Sequence, residues 1–509
     1  MENRPIISLE KINNVYMRVR ADASTRMEMM EYFSHYAPNF KFHPRFKAKI
    51  WNGKIGLFHL NDSSIYTGLL EDVLKFADEY GYDVQGTEQF IQKRDVERTK
   101  KIIQQIKSIP IIDKIELRDY QLAAIASCIE NERQTVISPT GSGKSLIIHL
   151  LCQWHLKYNE PEYPILIIVP TLSLISQMKN DFLEYNPRID PESIHTIFAG
   201  QDKRFGLKTK IIVSTWQSLH SIIKEERGIS YFNLFEMVIV DECHNAKSSS
   251  LIGIMEKCVN AQYRIGMTGS LPKETLSQLT IKGLFGKFFQ TTSTYDLQKK
   301  NLLADLSIKC IKLNYDAKER EIVKKLSYPD EIKYLVANER RNEFIASLAW
   351  GQLGNCLLLF NTIKHGKRLY EILKEKNKEG KRKVFLIYGG VGADEREQIR
   401  KIVTTEKNAI LVASYGTLST GVNIPSISSM IFSIGSKSSI RVIQSIGRGL
   451  RISPDGKSTV LYDIIDDLSY KSRENFALRH ATERVSIYIK ERFNFKVTEL
   501  EFTNNNKEQ

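Results

Sequence analysis

Residues 138–145 read Ser-Pro-Thr-Gly-Ser-Gly-Lys-Ser and follow directly on the apolar run Thr135, Val136, Ile137. A strand that empties into such a loop has few folds open to it. Gly141 and Gly143 let successive backbone N–H groups turn towards one anion, with Pro139, Thr140 and Ser142 completing the cradle. Lys144 is placed to neutralise the β- and γ-phosphates of a nucleoside triphosphate, and the Ser145 hydroxyl to ligate Mg²⁺. The reading requires a helix after the loop, and Leu146 to His155 supplies Leu, Ile and Trp at helical spacing, which sets the anion at a helix N-terminus. The usual spelling has glycine where Ser138 stands, so the loop by itself could still be a glycine-rich turn.

The rest of the chain gives the loop its context. From about Glu116 to Thr294, short β-branched runs alternate with helical stretches, and the strand candidates are Thr135 to Ile137, Ile165 to Val169, Ile211 to Val213, Met237 to Val240 and Ile265 to Met267. Such alternation predicts a parallel sheet covered by helices, with ligands gathered at the carboxyl ends of the strands. After a charged stretch, Asp316 to Arg341, the pattern resumes with Cys356 to Phe360, Val384 to Ile387, Ala409 to Ala413, Met430 to Ile434 and Thr459 to Tyr462. The first strand of this second set is followed by Asn361-Thr362-Ile363-Lys364-His365, which lacks the glycines of a phosphate loop, so one nucleotide is expected to serve both sheets.

Bulk properties narrow the partners. A chain of 509 residues is too long for one core, and about three or four units are expected at roughly 150 residues each. The net charge of +14 points to an acidic partner, with nucleic acid favoured and an anionic membrane the rival. No apolar stretch approaches the roughly 18 residues a membrane-spanning helix needs, and no secretion signal is visible, so the expected location is the cytoplasm. The six cysteines lie far apart and form no C-x-x-C pair, which argues against zinc and disulfides and for buried thiols.

Two further segments carry chemistry. Asp241-Glu242-Cys243-His244 follows the apolar run Met237 to Val240, so its carboxylates emerge where a central strand ends. Asp241 is expected to hold Mg²⁺ through a water, and Glu242 to orient and deprotonate the attacking water. Arg448 and Arg451, in Gln444-Ser445-Ile446-Gly447-Arg448-Gly449-Leu450-Arg451, would share a helix face and could deliver guanidinium groups to a γ-phosphate.

This ordered set resembles superfamily 2 helicases and nucleic-acid translocases over roughly Leu117 to Tyr462. The resemblance implies the fold class, α/β: two RecA-like parallel-sheet lobes in tandem, with a small α+β N-terminal domain and a helical C-terminal extension. The expected bounds are 1–104, 105–305, 306–467 and 468–509. It also implies ATP and Mg²⁺ as cofactors, and unwinding or branch migration of branched DNA and RNA–DNA hybrids. Leu117-Arg118-Asp119-Tyr120-Gln121 is similar to the adenine-recognising segment, with Gln121 as base contact and Arg118 as support. Pro170, Thr171 and Thr215 fall on first-lobe loops that grip one strand's phosphates, and Asn361 and Ser414 on their second-lobe counterparts. Gly421 and Asn423 fall near the ribose, Gln444 at the attacking water or γ-phosphate, and Thr268-Gly269-Ser270 where hydrolysis is coupled to motion. The family more often has Asp at 423 and Ala at 269.

Ahead of the motor, Asn39 to Lys54 interleaves Lys41, Arg45, Lys47, Lys49 and Lys54 with Phe40, Phe42, Phe46 and Trp51, uninterrupted by any acidic residue. The alternation reads as a half-buried strand whose basic face is solvated or holds phosphates. At the other end, Ala477, Ala481, Val485, Tyr488 and Ile489 share a helical face. Two rival functions share these motifs: a translocase that tracks on duplex without separating strands, and a nucleic-acid-binding scaffold whose nucleotide is only a switch.

Overall fold

In the computed structural model the strand Ile165–Val169 is buried at every position, and its side chains alternate between two cores. Ile165, Ile167 and Val169 pack with residues of the helix Lys144–Tyr158, whereas Leu166 and Ile168 pack with the helices Trp216–Ile223 and Ser249–Lys257 on the opposite face. A strand covered on both sides needs this unbroken apolar character. Its neighbours complete a seven-stranded sheet in the order Ile194–Ile197, Ile211–Thr215, Ile165–Val169, Met237–Asp241, Tyr263–Thr268, Arg133–Ile137, Phe288–Gln290, parallel throughout. All five strands expected from sequence are present. The two edge strands complete the sheet.

The structure describes residues 4–90, 95–139, 141–198, 204–223, 228–246, 248–300, 306–419, 427–434 and 459–503. It divides into two compact units, residues 1–138 with 143–291, and residues 292–509 with the short segment 139–142.

Within the first unit the N-terminal residues form a mixed five-stranded sheet, ordered Phe58–His59, Ser64–Tyr66, Tyr16–Arg20, Ile6–Lys11, Asp83–Gln85. Only the last pairing is parallel. The helix Ala23–Tyr32 starts at Asp22, whose carboxylate accepts the Thr25 N–H at 3.0 Å, and Leu70–Tyr80 ends at Gly81 in the left-handed conformation. Both are ordinary termini. The region shares one apolar core with a face of the large sheet: Ile7, Met17, Val19 and Phe76 belong to the same cluster as Leu166, Val238 and Phe285. Polar contacts fasten the same seam, since Tyr16 and Tyr66 both donate to Glu256 Oε1, at 2.8 and 2.6 Å. The approach is so close that a Cβ on Gly68 would lie 2.2 Å from Lys282 O.

The second unit carries another seven-stranded parallel sheet, ordered Lys383–Ile387, Ala409–Ser414, Asn355–Phe360, Ile427–Phe432, Thr459–Asp467, Leu306–Tyr315, Asn494–Phe502. Its long strand Thr459–Asp467 carries three buried acids, Asp463, Asp466 and Asp467, each paired, the last with Lys312 at 3.0 Å. Arg341 meets Asp466 at 2.7 and 2.8 Å, and Arg484 meets Asp463 at 3.0 and 2.7 Å. Such pairs tie the helices Glu339–Trp350 and Phe476–Lys490 to the sheet. Glu331 accepts the backbone N–H groups of Phe476 and Ala477 at 2.9 and 2.7 Å, so a carboxylate caps the C-terminal helix at its positive end. That helix is followed by the strand Asn494–Phe502, which pairs with Leu306–Tyr315 from Ser307 to Tyr315; neither strand was expected from sequence.

Candidate nucleotide and nucleic-acid site

The phosphate loop begins where the strand Arg133–Ile137 ends, and Ser138 N donates to Thr268 O of the neighbouring strand at 2.8 Å. Gly141 and Gly143 hold φ +80° and +84°, left-handed values that cost an L side chain dearly. A Cβ on Gly143 would also lie 2.3 Å from Gln121 Nε2. Ser142 Oγ donates to Pro139 O at 2.7 Å, and the helix Lys144–Tyr158 starts at once, presenting its first N–H groups to the loop. Lys144 Nζ rests 3.3 Å from Ser138 O. Thr140 lies outside the described residues.

The acidic pair closes the same corner. Asp241 ends the central strand Met237–Asp241 and accepts the Glu242 N–H at 2.9 Å. Glu242 takes φ +53°, which turns the chain sharply and brings its carboxylate within 3.6 Å of Lys144 Nζ. Burial, and then the neighbouring Glu242 charge, push the Asp241 carboxyl up to about 6, against the pull of Lys144. Two adjacent carboxylates facing one lysine form a pocket short of positive charge. The residues therefore fit Mg²⁺, which takes one or two protein oxygens and completes its shell with water and phosphate. Among the described residues no group of three His, Cys, Asp or Glu gathers to hold a metal on its own.

His244 carries the acidic pair's reach further. Its Nδ1 stands 3.1 Å from Glu242 Oε2 and 3.0 Å from Thr268 Oγ1, and Thr268 Oγ1 donates to Ser270 O at 2.8 Å. Lys144, Glu242, His244 and Thr268 thus form one continuous string of polar contacts. A Cβ on Gly269 would meet Lys144 Nζ at 3.6 Å and Ser138 O at 3.8 Å. Those are ordinary contacts, so the glycine is not sterically required. Cys243 sits beside these groups, but burial first, and then the charges of Glu242 and Asp241, raise its thiol well above the usual range.

Gln121 and Arg118 belong to the same corner. Arg118 N donates to Gln121 Oε1 at 3.0 Å at the start of the helix Asp119–Asn131, and Arg118 Nη1 donates to Tyr120 Oη at 2.9 Å. Gln121 is buried and lies against Gly143.

Because every strand of the sheet runs the same way, the remaining first-sheet candidates share this edge. Thr171, half-buried after Pro170, opens the helix Leu172–Tyr185 and lies 3.1 Å from Ser173 Oγ. On the adjacent strand, Thr215 Oγ1 accepts the Ser218 N–H at 3.3 Å. In the second sheet, exposed Asn361 and half-buried Ser414 follow neighbouring strands that pair Phe360 with Ser414, and Ser414 Oγ accepts the Thr417 N–H at 3.2 Å. Gly421, Asn423, Gln444, Arg448 and Arg451 lie outside the described residues.

The basic and aromatic segment corrects the expectation of a strand. Phe40–Phe42 is one turn of 3₁₀ helix and Pro44–Lys47 a short α-helix, and only Lys54–Gly56 is extended, pairing with Ser34–Tyr36. The rings of Phe40, Phe46 and Trp51 fold inward, while Phe42 is exposed. Tyr36 and Phe40 stack at 4.4 Å, Phe40 meets Phe46 edge-on at 4.9 Å, and Trp51 Nε1 donates to Lys54 O at 2.8 Å. Gly53, at φ +82°, closes the knot where a Cβ would strike Phe40 at 2.5 Å. Lys41, Arg45, Lys47 and Lys49 all point outward and are exposed. Pro44 and Gly53 were the signals against a strand.

Comparison with known proteins agrees with this architecture. Residues 7–86 match the family "DNA helicase UvsW, N-terminal", 114–273 match "Type III restriction enzyme, res subunit", and 341–453 match "Helicase conserved C-terminal domain". The ATP-dependent DNA helicase uvsW of Enterobacteria phage T4 is 30% identical over 498 residues, covering 94% of this chain and 96% of that protein. The DNA 3'-5' translocase XPB2 of Sulfurisphaera tokodaii is 26% identical over 77% of this chain and 91% of its own. The crystal structure of T4 UvsW superposes with a TM-score of 0.50 and 28% identity over 97% of this chain and 99% of that one. A fragment of a putative type I restriction-enzyme HsdR subunit from Vibrio vulnificus shares the fold, with a TM-score of 0.58 at 17% identity over 85% and 74% of the two chains.

Two parallel-sheet lobes, the phosphate loop and these relatives define the class, an ATP-driven DNA helicase of superfamily 2. Within that class the chain belongs to the UvsW family.

Proposed function

We propose that this helicase binds ATP with Mg²⁺ at the carboxyl edge of the first sheet and uses its hydrolysis to unwind or branch-migrate branched DNA and RNA–DNA hybrids, in recombination, repair and replication. The observation that carries the reading is the string Lys144, Glu242, His244, Thr268, because it joins the phosphate-facing lysine to the segment expected to transmit motion. Ser145 and Asp241 would hold Mg²⁺, which when bound supplies positive charge to the phosphate oxygens. Glu242 orients and deprotonates the attacking water, with Gln444, Arg448 and Arg451 completing the hydrolytic set. Gln121 and Arg118 select adenine, and Gly421 and Asn423 meet the ribose. Pro170, Thr171, Thr215, Asn361 and Ser414 grip phosphates.

The knot at Lys41, Arg45, Lys47 and Lys49 would hold duplex or a branch point, a role its outward cations support. We also propose the division 1–104, 105–305, 306–467 and 468–509 as accessory domain, first lobe, second lobe and extension. The phage source of the UvsW relative supports action inside an infected bacterial cell.

Strand displacement on forked DNA and on RNA–DNA hybrids, run beside triplex displacement on plain duplex, tests the substrate reading. Activity on forks and hybrids supports it. Triplex displacement without strand separation favours the duplex translocase, a reading to which the XPB2 relative lends some weight.

A further inference from the structure

We infer that Tyr185 is a positioning residue for the Ser145 hydroxyl, holding it in the orientation that presents an oxygen lone pair to Mg²⁺. This rests on the reading of Ser145 as the metal-facing serine. Ser145 Oγ and Tyr185 Oη lie 2.7 Å apart. A serine hydroxyl that ligates a cation through a lone pair must send its proton elsewhere, and a phenol oxygen at this distance accepts it.

The phenol is held from several sides. Tyr185 is the last residue of Leu172–Tyr185, and its carbonyl accepts the Ile112 N–H at 2.9 Å. Its ring meets the His149 ring edge-on at 5.5 Å, and His149 in turn meets Phe182 at 4.9 Å. His149 lies one helical turn below Ser145, so both project on one face. Its ring is fully buried, and neither nitrogen has a hydrogen-bond partner among the described residues. The imidazole therefore acts here as an aromatic wall that fixes the phenol's direction. Neither Tyr185 nor His149 belongs to the motifs that carry the nucleotide chemistry.

Tyr185→Phe keeps the ring and its packing and removes only the hydroxyl. Binding of the imido analogue of ATP is measured by calorimetry with EDTA and with Mg²⁺, for the full chain, Tyr185→Phe and Ser145→Ala, alongside DNA-stimulated ATP hydrolysis across a Mg²⁺ titration. Tyr185→Phe is expected to leave binding in EDTA unchanged, to shrink the Mg²⁺-dependent gain in affinity by about tenfold, and to raise the Mg²⁺ needed for half-maximal hydrolysis while kcat at saturating Mg²⁺ is retained. A Ser145→Ala effect on the Mg²⁺ gain with none from Tyr185→Phe overturns the role of Tyr185 and leaves the metal reading standing. No effect from Ser145→Ala overturns both. Equal weakening of Tyr185→Phe in EDTA and in Mg²⁺ marks a packing role only and also overturns the inference.

Discussion

Lys144 Nζ and Glu242 Oε1 stand 3.6 Å apart, and both side chains are largely shielded from solvent. On the proposed reading, the acid would hold the lysine until phosphate oxygens claim it and would then be released to face water. Glu242→Gln should therefore bind ATP with little loss but lose DNA-stimulated turnover by about 100-fold or more. Lys144→Ala should lose nucleotide affinity as well. Steady-state hydrolysis and nucleotide titration on the same preparations separate the two effects, and unchanged turnover in both variants would remove the site assignment.

Thr268 offers a test of coupling, because its hydroxyl meets His244 on one side and Ser270 O on the other. Thr268→Val keeps the shape and deletes these hydrogen bonds, along with the one the hydroxyl accepts from the Ser270 N–H at 3.3 Å. Hydrolysis should survive within about tenfold while strand displacement falls further, since the change removes hydrogen bonds of one hydroxyl and none of the expected phosphate ligands. The measurement is base pairs opened per ATP consumed.

The accessory surface is best probed by charge. Truncation of the N-terminal residues would bare the core they share with the first sheet, so binding and folding would fail together. Replacing Lys41, Arg45, Lys47 and Lys49 with Ala should instead lower affinity for forked DNA and flatten its salt dependence, by about 0.9 in slope for each phosphate that is no longer neutralised. ATP hydrolysis without DNA should stay unchanged, because none of these side chains lies at the nucleotide corner.

Acid sensitivity follows from the buried imidazoles of His149, His155 and His365. Burial lowers His149 from 6.5 to about 4 and His365 to about 3. Unfolded chain takes up protons as pH falls through 6.5, while the folded units do not, so stability is full above that value and is lost on the way down towards 4. Each histidine should cost about 2 kcal/mol at about pH 5 relative to neutral pH. Urea denaturation at the two pH values measures this, and His149→Phe should reduce the difference for the first unit.

Most central strands of the two sheets were legible because burial on two faces demands continuous β-branched and aliphatic runs, as in Ile165–Val169 and Asn355–Phe360. The edges were not. Asn494–Phe502 mixes Lys and Glu with apolar residues and is mostly exposed, so little in its own residues separates it from a polar tail until its partner strand is known. The knot failed for another reason: its rings alternate with cations by position but are gathered by turns at Pro44 and Gly53. That Gln121, Lys144, Asp241 and Glu242 gather at one corner was legible from the order of their motifs, since phosphate chemistry fixes both type and spacing. The pairings of His244 with Thr268, and of Tyr185 with Ser145, join residues 24 and 40 positions apart, and only the packed sheet brings them together.

The seam fastened by Tyr16, Tyr66 and Glu256 has a mechanical consequence. Since the N-terminal sheet and the first seven-stranded sheet are halves of one apolar interior, a duplex held at Lys41 to Lys49, on the proposed reading, would be carried as a load on the ATP-binding sheet. On that reading this part of the molecule would act as a chuck, gripping the substrate while the motor turns over.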